Sequence, residues 1–307
     1  MIHAHLTEFH GLPVRYVHQE AGATASQVAW RVQGDSYEEH EETFADIFEL
    51  LLDWDDCDDV RALVVGTWGS AHNNDRADVP VRLLVEAAPR LPALEAIFLG
   101  DYVSEESEIS WIGQTDVTPL LTAYPRLKRL DVRGSDGLGF RPVVHTALET
   151  LRFESGGLPA AVVRAIGASS LPALRHLELW LGDEQYQGDS GPDDWAAILA
   201  GGGLPALTHL GLQDSVRQDE VAAAVATAPI VARLESLDLS MGVLTDAGAE
   251  ALLSGQPLTH LKRLNLRHHY LSEEMAANIA DGLSGVEVDL SDRQDPEEDW
   301  RYIEVSE

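Results

Sequence analysis

Apolar residues recur along the chain in one short motif: an apolar position, two residues, a second apolar position, one residue, a third. Val60/Leu63/Val65, Leu94/Ile97/Leu99, Leu127/Leu130/Val132 and Leu148/Leu151/Phe153 carry it. So do Leu174/Leu177/Leu179, Leu207/Leu210/Leu212, Leu234/Leu237/Leu239 and Leu261/Leu264/Leu266, and Val286/Val288/Leu290 is a degenerate final copy. The last two apolar residues of each copy alternate with mostly polar ones, as in a strand with one buried face. Between copies the pattern turns helical. Thr245 precedes Asp246-Ala247-Gly248-Ala249-Glu250-Ala251-Leu252-Leu253, and Ser272 precedes Glu273-Glu274-Met275-Ala276-Ala277-Asn278-Ile279. Each helix thus opens on a capping hydroxyl, with acids in its first turn where the helix dipole favours them. One strand and one helix cannot bury an apolar face alone, whereas stacked copies bury a continuous core. The expectation is an α/β solenoid of about nine repeats, with a curved parallel sheet on the concave side and helices on the convex side.

The segments Leu234–Leu253, with its string LTDAGAEALL, and Leu261–Ile279 resemble the ribonuclease-inhibitor type of leucine-rich repeat. Copies start about 21 to 34 residues apart, against roughly 20–29 for that repeat, so the longer units carry insertions. The Asn that usually follows the strand is replaced here by Tyr102, Ser135, Gly182, Ser215, Gly242 and His269. Local side-chain bonds, backbone or water must then satisfy the turns. The opening His5–Val14 and the ending Asp299–Val305 also resemble a bacterial leucine-rich-repeat family encoded beside radical-SAM enzymes. That resemblance implies an accessory or adaptor role.

A solenoid needs caps, because a terminal repeat otherwise exposes core. Residues 1–59 fall outside the repeat and read as an N-terminal cap, residues 60–292 as the solenoid and 293–307 as a C-terminal cap. Val14–Val17 and Val28–Val32 read as short strands, and Ser36 with Glu39 as a capping box for a helix over 37–53. At the other end Trp300, Tyr302 and Ile303 are candidates to close the last repeat, and Tyr302–Val305 for a final strand.

Charge narrows the partners. The formal net charge is −31, with Lys128 and Lys262 the only lysines. Such a field repels nucleic acid and anionic membrane surfaces, and favours a protein partner with a basic surface. Solubility is the plainer reading of the same charge. The start of the sequence lacks secretory-signal character, no apolar run is long enough to span a bilayer, and there is one cysteine, Cys57. A cytoplasmic protein is expected.

No Walker loop, dinucleotide fingerprint or nucleophile elbow is present. No catalytic residue and no cofactor are therefore expected, and the chain reads as a non-enzymatic protein-binding scaffold or adaptor. Its alternatives are an accessory subunit of a modifying enzyme of the radical-SAM kind, or a metal-dependent enzyme. Residues flanking the core positions form rows along the concave face. Partner-binding candidates are Phe98, Tyr102, Asp131, Arg133, Arg152, Glu154, Glu178, Trp180, Gln213, Asp238 and Arg267. Large aromatics exposed on a polar sheet are frequent interface anchors, although the long insertions after the strands could cover them. Asp131, Arg152 and Glu178 alternate in sign on adjacent strands, which can equally be a ladder that keeps the sheet soluble. The insertions over 101–111 and 182–189 mix acids with aromatics at the C-terminal ends of strands and add to this surface. No metal is expected: His176 and His209, neighbours in one row with Glu178 close by, read first as solvated histidines, and these three are the one candidate set for an ion.

Overall fold

The computed structural model describes residues 2–18, 24–34, 43–69, 75–298 and 300–306. Its centre is one sheet of 12 strands whose spatial order is their chain order. A hairpin opens it, with β1 (Glu8–Phe9) antiparallel to β2 (Leu12–Tyr16). From β2 onward every neighbouring pair is parallel: β3 (Ala29–Val32), β4 (Ala62–Val65), β5 (Ala96–Leu99), β6 (Arg129–Arg133), β7 (Thr150–Glu154) and β8 (His176–Gly182). The series continues through β9 (His209–Ser215), β10 (Ser236–Asp238), β11 (Arg263–Asn265) and β12 (Glu287–Asp289).

Helices pack along the other side. They are α1 (Phe44–Leu52), α2 (Asp78–Glu86), α3 (Thr118–Ala123), α4 (Ala160–Gly167), α5 (Pro192–Ala200), α6 (Gln218–Val225), α7 (Asp246–Ser254) and α8 (Glu273–Gly282). The chain is an α/β leucine-rich-repeat solenoid, and its nine repeat-borne strands are β4–β12. The core is one continuous body between sheet and helices, running from Val17 and Trp30 to Ile279 and Leu283. The motif leucines, such as Leu177, Leu210 and Leu237, point into it. Each such side chain contributes about 1.5–3 kcal/mol by leaving water.

The two short strands expected near the start form as β2 and β3, and they extend the parallel sheet, since β3 pairs with β4 in register along its whole length. The first helix begins at Phe44, where Thr43 and Asp46 form a reciprocal capping box. The expected helix over 37–53 is present from Phe44 to Leu52; its expected start, with Ser36 and Glu39, lies outside the described residues. Helices α7 and α8 begin as expected, capped by the Thr245 and Ser272 hydroxyls. No strand forms over 302–305. Trp300 is 85% exposed and closes nothing, while Ile303 and Val305 are the tail residues that bury.

Several side chains take over from the missing turn asparagine. Buried His269 accepts a hydrogen bond from Leu271 N–H on Nδ1 and faces Leu290 O with Nε2 at 3.1 Å. Ser215 accepts from Arg217 N–H, and the Gln218 amide donates to Leu212 O. The chain turns out of the strand through a left-handed residue at one repeating position: Gly134, Asp214, Met241, His268 and Asp292. Gly134 is required there, since a Cβ would lie 2.5 Å from Ile112 Cβ. In the last four copies an Asp, Met or His adopts positive φ at a small cost.

Candidate functional site

Period-2 alternation places one row of residues from every strand on the concave side, and the register confirms those rows. Ala62, Ala96, Arg129, Thr150, His176, His209, Ser236 and Arg263 are successive neighbours. So are Val64, Phe98, Asp131, Arg152, Glu178, Gly211, Asp238, Asn265 and Asp289.

The rows are not all surface. The opening hairpin folds over the first part of the concave side. Phe9 and Val14, helped by Leu6 and Leu12, pack on Ala62, Val64, Ala96 and Phe98. Phe9 meets Phe98 edge-on at 5.9 Å, and the Arg129 guanidinium lies 4.7 Å from the Phe9 ring centre. A second apolar cluster closes the C-terminal ends of the middle strands: Tyr102, Ile109, Ile112, Trp180 and Val305, with Ile2 against them. The loop after β5, the N-terminal segment and the C-terminal tail therefore meet at one place. Phe98, Tyr102 and Trp180 are 1%, 5% and 7% exposed. Their expected role as partner anchors is thereby corrected, because the chain's own segments occupy them. The insertion over 101–111 covers the sheet instead of extending it, although Trp111 remains exposed.

Beneath these covers runs a chain of charges. Arg31 binds the Asp101 carboxylate, whose Oδ1 also takes Arg133 Nη1 at 3.2 Å. Arg133 Nε donates to Glu154 at 2.6 Å, and Arg152 Nη1 meets the other Glu154 oxygen at 2.7 Å. Arg152 also binds Glu178 and approaches Asp131 at 3.9 Å, while Arg129 holds Asp131 at 2.7 Å. Asp131, Arg133, Glu154 and Gln213 are buried, so these four candidates serve internal structure. Burial raises the Asp131 carboxyl above its ordinary range despite Arg129 and Arg152. Arg31 and Arg129 were not among the partner-binding candidates read from the sequence, and Asp101 entered only as the start of the 101–111 insertion. A lone Arg inside the apolar run of β3 was the available signal, since a charge there demands a partner.

Past Arg152 the face opens. The floor of β7–β11 forms two adjoining hollows of roughly 250 and 300 Å³ that share His176 and Glu178. The sequence-derived triad is brought together here. The His176 and His209 rings stack with centres 4.0 Å apart, and Glu178 Oε1 lies 3.0 Å from His176 Nε2 and 3.4 Å from His209 Nε2. Burial alone would raise the Glu178 carboxyl. His176, His209 and Arg152 outweigh it and hold the group well below the usual carboxylate range. Asp238 and Arg267 also border open surface. Asp238 accepts from Asn265 Nδ2 at 2.8 Å and from the Ser240 hydroxyl at 2.6 Å. Arg267 ties Asp292 to Glu304 of the tail. His268, Asp292 and Glu304 form a second cluster of metal-ligating type, in which Arg267 binds one oxygen of each carboxylate.

No family model matches the chain, and no curated protein matches it. Among solved structures, a Bacteroides fragilis protein determined as a structural-genomics target is 32% identical. The two superpose with a TM-score of 0.77 over 85% of this chain and 72% of that one. No helix among the described residues is long and apolar enough to cross a membrane.

Proposed function

The chain belongs to the same family as the Bacteroides fragilis protein, and we propose that it works as a non-enzymatic docking scaffold for a protein partner in the cytoplasm. The docking surface is the open part of the concave sheet, β7–β12, with the acidic loop over 182–189 at its rim. One observation carries the reading: a rigid parallel sheet presents half-buried polar side chains, among them Arg152, His176, Glu178, Asp238 and Asn265, along adjoining hollows. Their fixed spacing suits recognition of an extended or folded protein surface, and among the described residues no segment covers them. The net charge of −31 favours a partner with a basic surface and speeds the encounter at low salt.

Site-specific photocrosslinking in the native host tests this. A photoreactive residue at Ser236 should capture a defined protein, in a salt-sensitive manner. The same residue at Leu253, exposed on α7 of the convex side, should not. Equal capture from both positions, or none from Ser236, would remove the proposal.

A further inference from the structure

We propose that His176, Glu178 and His209 form a binding site for one divalent transition-metal ion of the zinc class, open to the hollow beside β10. This goes beyond docking and stands or falls separately from it. Three ligand atoms converge, with one ring nitrogen of each imidazole and one Glu178 carboxylate oxygen all within 4.8 Å of one another. A tetrahedral zinc ion with ligands ~2.0–2.2 Å away separates its ligand atoms by roughly 3.3–3.6 Å. The two nitrogen-to-oxygen distances, 3.0 and 3.4 Å, lie within a few tenths of an ångström of that edge. Two imidazoles and one carboxylate select zinc-like ions over magnesium or calcium, which take oxygen ligands.

The surroundings point the same way. His209 Nε2 is buried without a hydrogen bond, while its Nδ1 faces the Ser236 hydroxyl. That outer contact engages Nδ1 and leaves Nε2 as the ring nitrogen available to an ion, as partners of metal-bound histidines do. Arg152 takes the other oxygen of Glu178, leaving Oε1 for an ion, and Glu154 balances the charge of Arg152. Gly211, the neighbour of Glu178 on β9, keeps the space clear, since a Cβ there would come within 3.0 Å of Glu178 Cγ. The hollow lined by His176, Glu178, His209 and Asp238 leaves a fourth coordination position for water or a partner's donor group. The rings lie within 8° of parallel, so their lone pairs cannot both meet one ion in this stack. Binding one ion therefore requires the rings to turn about their Cβ–Cγ bonds, a soft torsion in histidine.

The test is titration of untagged, chelator-washed full-length protein with Zn²⁺ by calorimetry. One equivalent should bind. His176→Ala and His209→Ala should each lower affinity at least ~100-fold, and Ser236→Ala about 10-fold. His268→Ala should leave binding unchanged. Circular dichroism verifies folding, and His176→Gln and His209→Gln replace any alanine variant that fails it. Co²⁺ added to the wild-type protein gives a readout that needs no variant. The intense visible bands of a four-coordinate site are expected, whereas the weak spectrum of hydrated, six-coordinate cobalt would overturn the assignment. Absence of saturable Zn²⁺ binding, its survival in the double His176/His209 variant, or its loss in His268→Ala would overturn it as well.

Discussion

The two halves of the concave sheet share one backbone plan and differ in what lies on top. Over β4 and β5 the upward-facing residues are Ala62, Val64, Ala96 and Phe98, sealed by the opening hairpin. Over β7–β12 the same rows carry Thr150, His176, Glu178, Ser236, Asp238 and Asn265, all half-buried and uncovered. Between them the Arg31–Asp101–Arg133–Glu154–Arg152 chain passes from enclosed to open surroundings. An identical position in the repeat is therefore core in one half and surface in the other. The decision is made by segments distant in sequence, not by the repeat.

This contrast can be broken most forcefully at its enclosed end. Arg133→Ala leaves Asp101 and Glu154 short of a buried partner and should cost about 3–5 kcal/mol, read as a shift of the urea denaturation curve. A loss below ~1 kcal/mol would mean that water reaches this network and that the seal is looser than described. The tail offers a finer handle. Asp214 accepts the Val305 N–H at 3.0 Å, and its other oxygen is buried without a partner. Burial raises its carboxyl well above the ordinary range despite that bond. A raised folded-state value means that the folded protein holds the proton more tightly than the unfolded chain. The associated stability is complete below the unfolded-state value of about 4 and declines as pH rises toward the folded-state value. Asp214→Asn keeps the acceptor and tolerates the left-handed backbone, so it should raise the thermal midpoint at about pH 8 and leave it unchanged at about pH 3. An equal shift at both pH values would assign the effect to packing. The smallest effect belongs to the open half. Arg263 is exposed and only 4.0 Å from Glu287 and Asp289, so Arg263→Ala should change stability by less than ~0.5 kcal/mol. A larger loss would show the open floor to be structural.

The solenoid, its strand register and the His176–Glu178–His209 grouping were legible in the sequence, because period 2 fixes which residues share a face and a parallel sheet aligns equivalent positions. The covers were not, since a segment such as Leu6–Leu12 or Ile303–Val305 leaves no periodic trace. One local signal did exist. Ala62-Leu63-Val64-Val65 and Ala96-Ile97-Phe98-Leu99 are apolar on both faces, the mark of strands buried on both sides. Trp180 gave no such warning, since its row is otherwise polar and its burial depends on Ile109, Ile112 and Val305.

The meeting of the two ends over the sheet changes the molecule mechanically. A plain stack of repeats is a spring, each rung held only by its neighbours and free to unzip from either end. Here Ser110 donates to Ser306 O, Ser104 to Ile2 O, and Val305 N–H to Asp214, across 196, 102 and 91 residues of sequence. These ties brace the spring like a string across a bow. Rungs cannot peel away singly without first undoing contacts made near the middle of the stack. The curvature of the sheet, and with it the spacing of the side chains on its open floor, is thus held by bonds that cross it.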